Sequence, residues 1–148
     1  MPASLHRQLL DLIEAELALA PAVASGNLQR QRSRPLGAAV AQQVSLYLVR
    51  SRARPVMLGG DAPLEWQTSI GVECIARAGA GVMADEAIDD LLGTVHARIT
   101  GSTALVAAGY RVHPEHDLQW DDEALDERIG ACTAIYTVRY MGPVASLG

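Results

Sequence analysis

Six arginines with alternate spacing are the residues best placed to build a charged surface. They form two triplets of period two: Arg30, Arg32 and Arg34, then Arg50, Arg52 and Arg54. Residues 30–54 contain no acid. Because successive side chains of a β-strand point to opposite faces, each triplet would line one face or edge of a strand. Three interpretations fit such a surface: it contacts nucleic-acid phosphates, it contacts the acidic surface of another subunit, or it is a solvated rim without a partner.

Acidic residues are concentrated in the other part of the chain. Residues 1–54 hold seven Arg and three acids, whereas residues 55–148 hold five Arg and fourteen acids. The densest acidic run consists of Asp121, Asp122, Glu123, Asp126 and Glu127. A basic edge on one subunit and this acidic surface on the next are complementary, as a head-to-tail ring requires. We therefore predict the two Arg triplets and these five acids as candidate subunit-interface residues.

Basic residues are all Arg, with no Lys among the twelve, and the chain has no Phe. Arg is the better residue for planar, bidentate pairing with carboxylates at an interface. The codon bias of a GC-rich genome would give the same composition.

Patterns associated with catalysis or cofactors are present only in part. Residues 79–84 read G-x-G-x-x-A between a strand and a helix, but the strand before them is polar at alternate residues, and acids at the helix start would repel a pyrophosphate. His113 and His116 form an i, i+3 pair with no third ligand at a fixed spacing. No nucleophile motif is found. We predict no catalytic residue, no cofactor and no metal, and hence not an enzyme; a small ligand-binding protein or enzyme of another kind stays an alternative.

Two cysteines, Cys74 and Cys132, lie in apolar, strand-like runs. They are predicted to be reduced core thiols, with a disulfide between neighbouring strands as the alternative. No apolar stretch approaches ~20 residues, so no membrane span is predicted. Asp11 and Glu14 occupy the place where a signal peptide would need its apolar region, so secretion is not expected.

Hydrophobic periodicity predicts one domain, residues 1–148, with an α+β fold. Helices are predicted over 3–20 and 82–99, and strands near 27–34 and over 43–52, 64–77, 109–113 and 130–141, with an acidic excursion through 115–127. Two apolar helix stripes and one-sided strands predict a two-layer sandwich. Its mainly antiparallel or mixed sheet has about four to five strands, with both helices on one face.

Several stretches, in this order and spacing, carry a family resemblance. They are an N-terminal helix and Arg34-Pro35, the strand Trp66–Arg77 (WQTSIGVECIAR), a helix with Ala87–Leu92 (AIDDLL), Gly109 and Trp120, and the terminal strand Ala134–Tyr140 (AIYTVRY). Over about residues 3–141 the chain resembles the phage tail terminator family, also called tail completion or minor tail protein U-like proteins.

The resemblance implies a structural virion protein at the head-proximal end of the tail. Family members form a ring, typically a hexamer, that caps the tail tube, stops its polymerisation and offers a surface for joining to the head. The implied partners are further copies of the chain, the tail tube protein and a head–tail connector or neck protein. DNA passes through the lumen only transiently. A neck or head-completion protein of the same virion is the nearest alternative.

Overall fold

A computed structural model describes residues 3–31, 40–57, 62–79, 81–120 and 129–143, with only the backbone described for Pro114 and Glu115. The helices are α1 (Leu5–Ala18), α2 (Ala84–Thr100) and α3 (Thr103–Ala107), and Val23–Gly26 forms a 3-10 turn. The strands are β1 (Leu28–Gln29), β2 (Gln42–Pro55), β3 (Leu64–Arg77), β4 (Arg111–Trp120) and β5 (Ile129–Gly142).

The five strands form one sheet in the order β1-β2-β3-β5-β4. Strand β1 runs parallel to β2, and the other neighbours are antiparallel. The long β3 strand is central and has the predicted bounds, because its period-two pattern is unbroken from Leu64 to Arg77. The predicted α+β fold with a mixed, mainly antiparallel sheet is therefore confirmed.

Both long helices pack on the same face of the sheet, which we call the inner face. Helix α1 contributes Leu9, Ile13 and Leu17 to the core, and α2 contributes a second stripe centred on Val95. The strands meet these helices with alternate residues: Val44, Leu46, Ile70, Val72, Cys74, Ala134, Tyr136 and Val138. Burial of these apolar side chains is the main favourable term for folding. It leaves the opposite, outer face of the sheet without a helix layer in the described residues.

Local capping fixes where α1 begins and ends. The Ser4 hydroxyl accepts a hydrogen bond from the Arg7 amide at 3.2 Å, as a helix N-cap does. At the other end, the Arg98 guanidinium of α2 donates to the carbonyl oxygens of Glu16 and Leu17, both at 3.2 Å, and of Leu19 at 2.7 Å. Arg98 thus satisfies carbonyls that a helix end leaves without partners, and it joins α1 to α2.

Two predicted segments differ from the structure. The irregular stretch expected after α2, with a short strand at 109–113, instead contains helix α3, capped by Ser102, and the ten-residue strand β4. A register shift between Val112 and His116 hides the alternation of β4 from a simple period-two pattern. The strand expected near 27–34 is only Leu28–Gln29, and residues 32–39 lie outside the described residues.

Candidate functional site

A β-bulge decides which face the second Arg triplet occupies. Up to Leu48, even-numbered residues of β2 point to the inner face with Val44 and Leu46. The pairing then shifts between Leu48 and Arg50, so that one extra residue is inserted. Strict alternation would have turned the arginines toward the helices. The bulge instead moves them to the outer face.

Beyond the bulge, the register assigns each arginine a neighbour on β3. Arg50 is paired with Ser69, Arg52 with Gln67 and Arg54 with Glu65. These β3 residues alternate with the core residues Thr68 and Ile70, so they lie on the outer face. The predicted triplet therefore lines one face of one strand.

Two further arginines join this triplet from the other side of the sheet. Arg139 of β5 is paired with Gln67, and Arg111 of β4 is paired with Arg139. Arg52, Gln67, Arg139 and Arg111 therefore form one row across four strands. We call the five cationic residues the arginine array: Arg50, Arg52, Arg54, Arg111 and Arg139. The array spans about 14 Å across the sheet at ~4.8 Å between strands.

Few of the described residues neutralise the array. Arg54 forms an exposed ion pair with Glu65, at 3.0 Å from Nη2 to Oε1. The Gln67 amide oxygen, in its favoured orientation, accepts two hydrogen bonds at 3.1 Å from Arg139. Among the residues that the structure describes, Arg50, Arg52 and Arg111 have no ion pair, and all three are exposed. The array is therefore a basic surface accessible to a partner.

The outer face changes character along the strands. Beside the array lies a depression of about 550 Å³, which Tyr47, Arg50, Asp117 and Ile135 help to line. Toward the opposite end, Ser45, Glu73 and Ile75 are fully buried, and Ile75 packs with Ile129, Ala131 and Val40. On β2 and β3, the outer face is thus covered at one end and accessible at the end that carries the arginines.

Other predicted interface residues have different positions. Arg30 follows β1 and bonds to two carboxylates of α1, Asp11 at 2.8 Å and Glu14 at 2.7 Å, so its charge is engaged within the chain. The remaining candidates lie outside the described residues: Arg32, Arg34, Asp121, Asp122, Glu123, Asp126 and Glu127. The two residues that bracket the acidic segment, Trp120 and Ile129, lie beside Cys132 and Arg77 at the end opposite the array.

The two cysteines are direct neighbours across β3 and β5 on the inner face. Both are free and fully buried. Burial is the main reason that the pKa of Cys74 is raised to about 12, with smaller contributions from Cys132 and Glu73. A thiol with such a pKa is unreactive at neutral pH, so the pair acts as apolar filling.

Histidines gather at the groove between α2 and β4. His96 Nδ1 lies 2.9 Å from the Tyr136 hydroxyl, and the His116 ring centre lies 5.0 Å from that of His96 and 4.8 Å from that of Tyr136. Burial, then His96 and His113, lower the pKa of His116. Within the described ranges, no group of three or more His, Cys, Asp or Glu is arranged to hold a metal ion.

A second buried polar network fixes the array end of the sheet to α1. Ser51 Oγ lies 2.8 Å from Thr68 Oγ1, which contacts the Tyr140 hydroxyl, which in turn contacts His6 Nδ1. Burial lowers the pKa of His6, which favours the neutral ring that this network needs. The network satisfies buried polar groups and rigidifies the strands beneath the array.

Comparison with known proteins adds no identification: the chain matches no protein-family model and no curated protein. No helix among the described residues is long and apolar enough to cross a membrane. Sequence reasoning missed Arg111 and Arg139, although the polar phase of the terminal strand, Thr133, Thr137 and Arg139, already indicated the outer face.

Proposed function

We propose that this chain is a structural virion protein of the tail terminator type, which assembles into a ring that caps a phage tail tube. The observation that carries this proposal is the arginine array, a basic surface at one end of the outer face, in a chain whose acids are concentrated in other parts of the sequence. Trp120 and Ile129, the described residues that flank the acidic segment 121–128, lie at the other end of the sheet.

The positions of the described residues support a contact between copies rather than within one. Arg139 lies seven residues along β5 from Cys132, the partner of Trp120, which is about 24 Å at ~3.4 Å per residue. The strand ends that flank residues 121–128 are therefore well separated from Arg139 of the same chain.

A contact between two different surfaces of the same protein is heterologous, and its repetition closes into a ring when the rotation permits. Arg pairs with carboxylates in bidentate geometry, which gives orientation as well as attraction. In this proposal the ring is a hexamer, as is typical of the family. It binds the tail tube protein on one side and a connector or neck protein on the other, and DNA passes through its lumen. The chain acts by assembly and not by catalysis.

A tube-growth assay tests the function. Tail tube protein polymerises with and without the purified chain, and tube lengths and ends are measured by electron microscopy. We expect shorter tubes with a ring at one end only. Tubes of unchanged length with bare ends, at a large excess of the chain, would contradict the proposal. In virion preparations, rings found on heads and not on headless tails would assign the chain to the neck instead.

A further inference from the structure

We propose that the arginine array of one copy binds the acidic start of α2 from the next copy, an inference that rests on the ring assembly proposed above. The acidic start of α2 consists of four side chains: Asp85, Glu86, Asp89 and Asp90. All four are exposed, and none forms an ion pair among the residues that the structure describes. These four residues are separate from the acidic segment 121–128.

Within one copy, the acidic start of α2 carries like charges at close range. Asp85 and Asp89 are four residues apart, as are Glu86 and Asp90, so each pair lies on neighbouring turns of the same helix face. Like charges at this spacing destabilise a helix, and the helix dipole offsets the repulsion only in the first turn. A cationic partner would relieve this repulsion.

The arginine array also places like charges close to each other. Arg111 and Arg139 are directly opposite each other on β4 and β5, on the same face. Like charges at directly opposed positions of an antiparallel pair are destabilising. Gln67, the neighbour of Arg139 on β3, is neutral and adds no compensating charge. An anionic partner would therefore stabilise this edge of the sheet.

The two surfaces are unable to meet within one copy. The start of α2 lies against Gly130, where an added Cβ would come within 2.9 Å of the Ala84 carbonyl oxygen and 2.7 Å of Ile88. Arg139 lies nine residues along β5, about 30 Å away at ~3.4 Å per residue. The helix also packs on the inner face, whereas the array is on the outer face. Any contact between them joins two copies.

A second copy fits the array better than nucleic acid does. The chain has a net charge of −5, so its attraction for a long polyanion is limited to the array itself. A second copy instead offers a rigid set of exposed carboxylates on a helix. Carboxylates are also the groups that Arg binds through two parallel hydrogen bonds.

Complementary charge reversal tests the contact. One variant carries Arg111→Glu and Arg139→Glu, and the other carries Asp89→Arg and Asp90→Arg. Each variant alone should assemble at least about tenfold less tightly than the wild type, as measured by light scattering. An equimolar mixture should recover assembly, because each reversed surface then meets a complementary one and the copies alternate around the ring. Arg7→Glu, an exposed arginine outside the array, is the matched control and should assemble normally.

Four outcomes would overturn the contact. Assembly of either double variant at wild-type strength would show that these residues lie outside the interface, while the ring itself stands. Failure of the mixture, with both variants folded by circular dichroism, would show that the two surfaces are not partners. If the wild type binds duplex DNA, and the array variant loses that binding while its assembly is unchanged, the array is a nucleic-acid site. If the variant with Arg111→Glu and Arg139→Glu fails to fold, Arg111→Gln with Arg139→Gln replaces it, and unchanged assembly would overturn the contact. A wild-type chain that never assembles would instead remove the proposed function.

Discussion

Gly71 of β3 lies directly beneath the aromatic ring of Tyr47 on the outer face of the sheet. A Cβ on Gly71 would lie 2.3 Å from Tyr47 Cζ and 2.4 Å from Cε2, far inside van der Waals contact. The two residues are register partners, so the ring covers the gap that the missing side chain leaves. This packing connects β2 to β3 next to the bulge that positions the arginine array.

We expect Gly71→Ala to destabilise the fold by about 1 kcal/mol, because the Tyr47 ring has to shift to make room for the added methyl group. Urea unfolding followed by circular dichroism measures the loss. Gly93→Ala is the matched control, since an added Cβ there meets nothing within 4 Å and Ala favours a helix interior. The control should be more stable by about 0.5–1 kcal/mol. Equal stability of Gly71→Ala and the wild type would contradict the described packing.

Arg98→Met should destabilise the chain by about 1–3 kcal/mol, because carbonyl groups at the end of α1 lose charged hydrogen-bond donors while the apolar stem of the side chain is kept. Thermal unfolding measures the effect. Arg7→Met, at an exposed position on α1, should change stability by less than about 0.5 kcal/mol. Similar values for the two variants would show that Arg98 does not join the helices.

Acid should weaken the fold through His116. Its pKa is lower in the folded chain than the ordinary value of 6.5, so the unfolded chain binds more protons between the two values. The stabilisation is fully present above the ordinary value and is lost as the pH falls toward the lowered one. His116→Phe should make the stability less dependent on pH between about pH 5 and about pH 7.5, with the remaining slope due in part to His6, whose pKa is also lowered. An unchanged slope would contradict the role of His116.

Exposed arginines of the array should matter for assembly and not for folding. Arg50→Ala and Arg52→Ala remove side chains with no ion pair among the described residues, so the free energy of unfolding should change by less than about 0.5 kcal/mol. Assembly should become weaker and less sensitive to salt, because fewer charges take part. Sedimentation at low and high salt measures the strength of assembly and its dependence on salt. A large loss of stability with normal assembly would make these arginines structural.

Much of the fold could be predicted from the sequence because its strands and helices have regular periods. The unbroken alternation from Leu64 to Arg77 and the stripe around Val95 determined β3 and α2 closely. Strand β4 could not be predicted, because a register shift interrupts its pattern. The face of the arginines depended likewise on one extra residue near Val49, and a bulge leaves no clear mark in composition. Arg111 and Arg139 became part of the site only through the strand order, which brings distant segments side by side.

Ring formation is tested most directly by negative-stain electron microscopy of the purified chain, alone and with tail tube protein. A tail terminator should form rings of one size with a central hole, and rings of the same size at one end of the tubes. Monomeric particles at every concentration, with and without the tube protein, would contradict the proposed function.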